Sequence, residues 1–120
     1  MKFRLLDHSD LACGRVATLV CPPEVFSALF PSVGMVPCPY KTTREYGFES
    51  ETGAQVCIWD YKMTDAYESG CPSPERFWAS RSPARLSVGA HDRSTVREFH
   101  AWLIDVLPEG SPAIELQFDR

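Results

Sequence analysis

The run Ala54-Gln55-Val56-Cys57-Ile58-Trp59-Asp60-Tyr61-Lys62-Met63 is the longest in this 120-residue chain that reads as a strand on both faces. With a side-chain period of two, one face carries Cys57, Trp59, Tyr61 and Met63; the other carries Val56 and Ile58, then Asp60 and Lys62. Apolar residues on both faces, rich in aromatic and β-branched types, mark a strand inside a sheet with protein on each side of it.

The sequence before this run predicts a return strand. From Thr43 to Glu49, Arg44, Tyr46 and Phe48 alternate with Glu45, Gly47 and Glu49, which predicts one face in the core and one in water. Ser50-Glu51-Thr52-Gly53 joins the two strands as a hairpin, with glycine supplying positive φ. Upstream, Lys2 to Leu6 reads as a short strand with Phe3 and Leu5 inward, Asp7 to Asp10 as a turn, and Arg15 to Cys21 as a strand inside the sheet. Pro22-Pro23 opens a helix, since the first turn tolerates a missing N–H, and Val25, Phe26, Leu29 and Phe30 give it one apolar stripe. Residues 31 to 40 hold three prolines and a glycine and read as a loop.

Downstream, Thr64 to Arg85 is a polar, proline-interrupted connector. Within it Ser73 is placed as an N-cap, Pro74 as the first helical residue and Glu75 as a first-turn acid. Phe77 and Trp78 then anchor the segment, a pinned connector rather than a lid over a pocket. Leu86 to His91 reads as a strand with Leu86, Val88 and Ala90 inward. Thr95-Val96-Arg97-Glu98 matches a capping box, with Asp92 and Ser94 as competing caps, and the helix stripe runs through Val96, Phe99, Leu103, Val106 and Leu107. Ala113 to Phe118 closes the chain with Ile114, Leu116 and Phe118 inward. This order predicts a single α+β domain over residues 1–120, a two-layer sandwich. Its mainly antiparallel sheet of five to six strands carries two helices on one face.

Composition narrows the class of function. At 44% hydrophobic and 23% charged residues the chain is an ordinary globular domain. A net charge of −4 and a pI near 5.3 argue against a broad nucleic-acid surface, which needs clustered positive charge. No run approaches the roughly 20 apolar residues that span a bilayer, and the amino terminus lacks the apolar run of a signal peptide. The expectation is a soluble cytoplasmic protein with no membrane contact. Five cysteines, Cys13, Cys21, Cys38, Cys57 and Cys71, form no C-x-x-C pair, so no metal and no cofactor is implied. Cys57 is expected as a core thiol and Cys71 as the exposed one.

Two candidate sites stand out. In Gly89-Ala90-His91-Asp92-Arg93-Ser94-Thr95 a strand delivers polar residues to a helix start. There His91, Arg93, Ser94 and Thr95 with the free N–H groups hold a phosphate or carboxylate, or else Asp92, Ser94 and Thr95 merely cap the helix, which is the expected reading. Asp60 and Lys62 either form a half-buried proton-transfer pair or ligand clamp, or mark where the strand leaves the core and its charges are solvated, which is the expected reading. If the strands bearing these groups pair antiparallel, the two candidates lie at opposite ends. Nothing in the spacing selects a Cys/His pair from Cys13, Cys21 or Cys71 with His8, His91 or His100, nor a metal set around Asp7, His8 and Asp10. No catalytic constellation emerges. The expected function is a binding or assembly module, self-associating or joined to another protein, because Trp59, Tyr61, Trp78 and Trp102 exceed what a small core needs. The alternative is a protein or hydrolase for a small anion or nucleotide, with its site at residues 89–95.

Overall fold

The computed structural model describes residues 2–6, 15–30, 42, 44–65 and 67–119. The expected turn at 7–10 and loop at 31–40, with His8, Cys13 and Cys38, lie outside the described residues. In chain order the elements are β1 (Phe3–Leu5), β2 (Arg15–Cys21), α1 (Glu24–Leu29), β3 (Glu45–Ser50), β4 (Gln55–Trp59), α2 (Pro74–Trp78), β5 (Ala84–Ala90), α3 (Arg93–Val106) and β6 (Glu115–Phe118). Among the described residues the strands form one six-stranded sheet of order β1-β3-β4-β5-β2-β6, and every neighbouring pair is antiparallel. The protein is therefore of the α+β class, with three helices among the described residues rather than two because the connector helix α2 is complete.

β4 lies inside the sheet, with Val56 and Ile58 fully buried, Cys57 buried and Trp59 half-buried. The extended run is shorter than its alternation predicts: it ends at Trp59, and Tyr61 and Lys62 form a turn with Lys62 at φ 60°. Asp60 makes the stop. Its carboxylate accepts the backbone N–H of Arg44 at 3.0 Å, beside the terminal pair of Glu45 with Trp59, so a side chain takes over where the ladder ends. At the other end of this hairpin Ser50 Oγ accepts the N–H groups of Ala54 (3.1 Å) and Thr52 (3.3 Å), while Gly53 turns the chain at φ 88°. A side chain at Gly53 would meet open space, so only the left-handed backbone demands glycine there.

Tyr46 and Phe48, two residues apart on β3, share the face that receives all three helices. The Phe26 ring of α1 lies 5.6 Å from that of Tyr46, the Trp78 ring of α2 lies 5.4 Å from it, and the Phe99 ring of α3 lies 4.8 Å from that of Phe48. Ala17, Leu19, Val56, Ile58, Leu86 and Val88 continue this face through the cross-strand registers and are all buried. α2 forms as its sequence predicts, with Ser73 Oγ accepting the Arg76 N–H at 3.2 Å and Pro74 in the first turn. Phe77 and Trp78 are buried, and Ser27 Oγ donates to the Trp78 carbonyl while Glu24 N–H donates to that of Ser80. These bonds fasten the connector to α1.

Two helical stripes are narrower than their periodicity predicts. Leu29 is 36% exposed and Val106 42% exposed, while the next residue of each stripe, Phe30 and Leu107, packs against the core. β3 departs in the other direction. Gly47 is buried and Glu45 and Glu49 are half-buried, so the face opposite the helices is not simply in water. Flanking strands shade it: Glu49 accepts from Arg4 on β1 at 2.6 Å and from Gln55 on β4 at 3.3 Å. Among the described residues no helix is long and apolar enough to cross a membrane. Removing the central ring by Phe48→Ala should cost about 3–5 kcal/mol of unfolding free energy in denaturant melts. Val106→Ala should change it by about 0.5 kcal/mol or less.

Candidate functional site

The strand-to-helix junction is built around one carboxylate. Asp92 precedes α3 in an extended conformation, and its Oδ1 accepts the Thr95 N–H at 2.7 Å, the Thr95 hydroxyl at 2.8 Å and the Ser94 hydroxyl at 2.9 Å. These bonds, the Thr95 N–H foremost, hold the Asp92 carboxyl below its ordinary value. The cap is therefore Asp92 and not the box beginning at Thr95; Thr95 is itself buried in the first turn, using its hydroxyl to face the cap. Both hydroxyls expected to grip an anion already serve an acid of the chain. Arg93 turns away to the Asp119 carbonyl and lies 5.1 Å from the centroid of the Phe118 ring, with Arg97 at 4.9 Å on the same ring. His91 is exposed beside them.

At the opposite end of β4, Asp60 is fully buried and continues the face of Val56 and Ile58. The expectation that its charge is solvated is overturned, because its partner Arg44 N–H comes from across the hairpin. Lys62 is half-exposed, its ammonium 5.1 Å from the Tyr61 ring centroid and 4.9 Å from that of Tyr67. Hydrogen bonding to Tyr67, then to Tyr61, raises its pKa. Val56 pairs with Ala90 and Trp59 with Ser87, so β4 and β5 run antiparallel. Asp60 and Lys62 consequently sit at one end of the pair and His91 to Thr95 at the other, roughly 17 Å apart along the strands. The candidates do not converge.

The other sequence candidates separate as well. Cys21 and Cys57 are buried, and burial pushes the Cys21 thiol up to about 12. Cys71 is a half-buried free thiol. The Nε2 atom of His100 lies 2.9 Å from the Ile114 carbonyl, tying α3 to the approach of β6. Among the described residues no group of three or more histidine, cysteine, aspartate or glutamate side chains is placed to hold a metal.

Two clefts take the place of those candidates. One, of about 340 Å³, lies on the sheet face away from the helices, lined by Trp59, Tyr61, Ser87, Arg15 and Asp119. Arg15 Nε donates to Asp119 Oδ2 at 3.0 Å, closing one wall with an ion pair. Beside it Glu45, opposite Trp59 in the register, has its carboxyl pushed up by burial, against a hydrogen bond with Cys57. The alternation of Trp59 and Tyr61 signals the aromatic wall, but the other wall joins residues 104 positions apart and leaves no local trace. The second cleft, of about 400 Å³, lies between the connector and the start of β5 and includes Lys62, Arg76 and Cys71. Comparison of the sequence with known proteins gives no matching family model and no matching curated protein.

The depressed Asp92 carboxyl has a pH consequence. A folded-state value below the unfolded one contributes stability that is complete above the ordinary value of 3.8 and is lost as pH falls through the folded value. Melting curves across the acid range should show a shallower acid-side decline in Asp92→Asn than in the native chain.

Proposed function

We propose that this protein is a binding and assembly module that pairs with a second copy of itself through the cleft lined by Trp59 and Tyr61. The observation that carries this reading is Tyr61, 42% exposed, beside half-buried Trp59 and facing the Arg15–Asp119 pair. Aromatic rings gathered with arginine are the composition of interface centres, where a few such residues supply most of the binding energy. The surplus of aromatics is smaller than the sequence suggests. Trp78 is in the core, and Trp102 packs on Phe3, Phe30, Phe48 and Phe99. What remains is gathered at this one cleft.

Charge favours a like partner. In a two-fold interface the same patch meets itself, so it must carry both signs. Arg15 and Asp119 supply them side by side, and across a two-fold axis each can face its opposite number. Anion binding or hydrolysis at 89–95 draws less support, since Asp92 occupies the Thr95 amide and both hydroxyls that a ligand would need.

Light scattering over a concentration series should return a dimer mass for the native chain. Tyr61→Ala should weaken dimerisation by roughly 30-fold, the loss of about 2 kcal/mol typical of an interface anchor. Arg15→Glu should give monomer, and adding Asp119→Arg should restore the dimer. A native chain that stays monomeric at the highest attainable concentration overturns the proposal.

A further inference from the structure

We infer that the cleft between residues 70–72 and α2 binds a small monocarboxylate with a hydrocarbon or aromatic body. Its volume of about 400 Å³ lies within the range of ligand pockets. Met63, Phe77 and Pro83 give it apolar walls, Lys62 and Arg76 contribute two cationic side chains, and Cys71 adds a thiol. Among its described lining residues there is no aspartate or glutamate. Asp65, Glu68 and Glu75 stand on the same walls but outside the lining, so the two cations that border the apolar hollow meet no carboxylate within it. An apolar body would replace water against the Phe77 ring and the prolines, and an anionic head would meet the guanidinium, whose fork matches a carboxylate.

The cleft is built before any ligand arrives. Its outer wall is a segment closed on itself, with Asp65 N–H donating to the Pro72 carbonyl at 2.8 Å, Cys71 N–H to that of Glu68 at 3.0 Å, and Thr64 buried. Its inner wall is α2, fastened to α1 through Ser27 and Glu24. Lys62 is the one non-glycine residue with positive φ among those described, a conformation costing roughly 1–2 kcal/mol for an L-residue. Its ammonium lies 5.1 Å from the Tyr61 ring centroid and 4.9 Å from that of Tyr67, rings outside the lining that hold the charge beside the cleft. Backbone strain of this sort gathers at ligand clamps. The argument shares no residue with the dimer interface except the ring of Tyr61, so either reading can fail without the other.

Cys71 supplies the readout. Alkylation of the native chain by iodoacetamide, followed at the Cys71 peptide by mass spectrometry, should slow when octanoate is added. Octanol has the same body without the charge, and inorganic phosphate has charge without a body; each should protect roughly tenfold less well or worse. Arg76→Gln should weaken octanoate protection by about tenfold or more and leave octanol unchanged. Lys62→Gly removes the second charge at a position whose backbone suits glycine, so the variant folds and should show a similar loss. Octanoate protecting no better than octanol and phosphate would refute the site. So would variants that bind octanoate as tightly as the native chain.

Discussion

The contact on which the structure depends is the stacking of helix rings on one side of β3. Tyr46 meets Phe26 and Trp78, and Phe48 meets Phe99, so α1, α2 and α3 are all seated on two residues of a single strand. Strand periodicity makes this arrangement all-or-nothing. A slip of one position would offer the helices Glu45, Gly47 and Glu49 in place of the rings. That strict alternation specifies the register of β3, and its neighbours β1 and β4 inherit it through the ladders Leu5 with Phe48 and Tyr46 with Ile58.

Features whose causes lie within a few residues were legible in the sequence. The hairpin turn at Gly53, the Ser73–Pro74 helix start, the Phe77–Trp78 anchor and the buried pair Val56 and Ile58 all follow from neighbours along the chain. What stayed hidden needed a partner from elsewhere. Asp60 resembles a surface charge until Arg44 arrives from across the hairpin, and the wall formed by Arg15 and Asp119 joins nearly the two ends of the chain. The cap of α3 was ambiguous for a different reason. Asp92, Ser94 and Thr95 all have capping chemistry, and the choice rests on which residue leaves the strand extended, a backbone property that composition does not encode. Helical periodicity at Leu29 and Val106 reports which side of a helix is apolar but not which residues at the edge of the stripe meet the core.

The antiparallel ladder of β4 with β5 explains why the polar candidates do not form one centre. It sends Asp60 and Lys62 to one rim of the sheet and His91 to Thr95 to the other. Each rim then satisfies its own charges locally: Asp60 through a backbone amide, Asp92 through Thr95 and Ser94, and Arg93 through the end of β6. The cleft beside Trp59 lies between elements distant in sequence, where side chains of different origin line a hollow none of them fills.

The placement of β2 bears on the order in which the chain assembles. Thr18 pairs with Ser87 on one side and with Gln117 on the other, so this early strand has its ladder neighbours only after most of the chain is present. Closing loops of that span is entropically costly before any contact repays it, and topologies rich in such pairings fold slowly. The β3–β4 hairpin, with its four-residue connection, escapes that penalty and is the natural nucleus, while β2 waits as an unpaired apolar segment until β5 and then β6 enclose it.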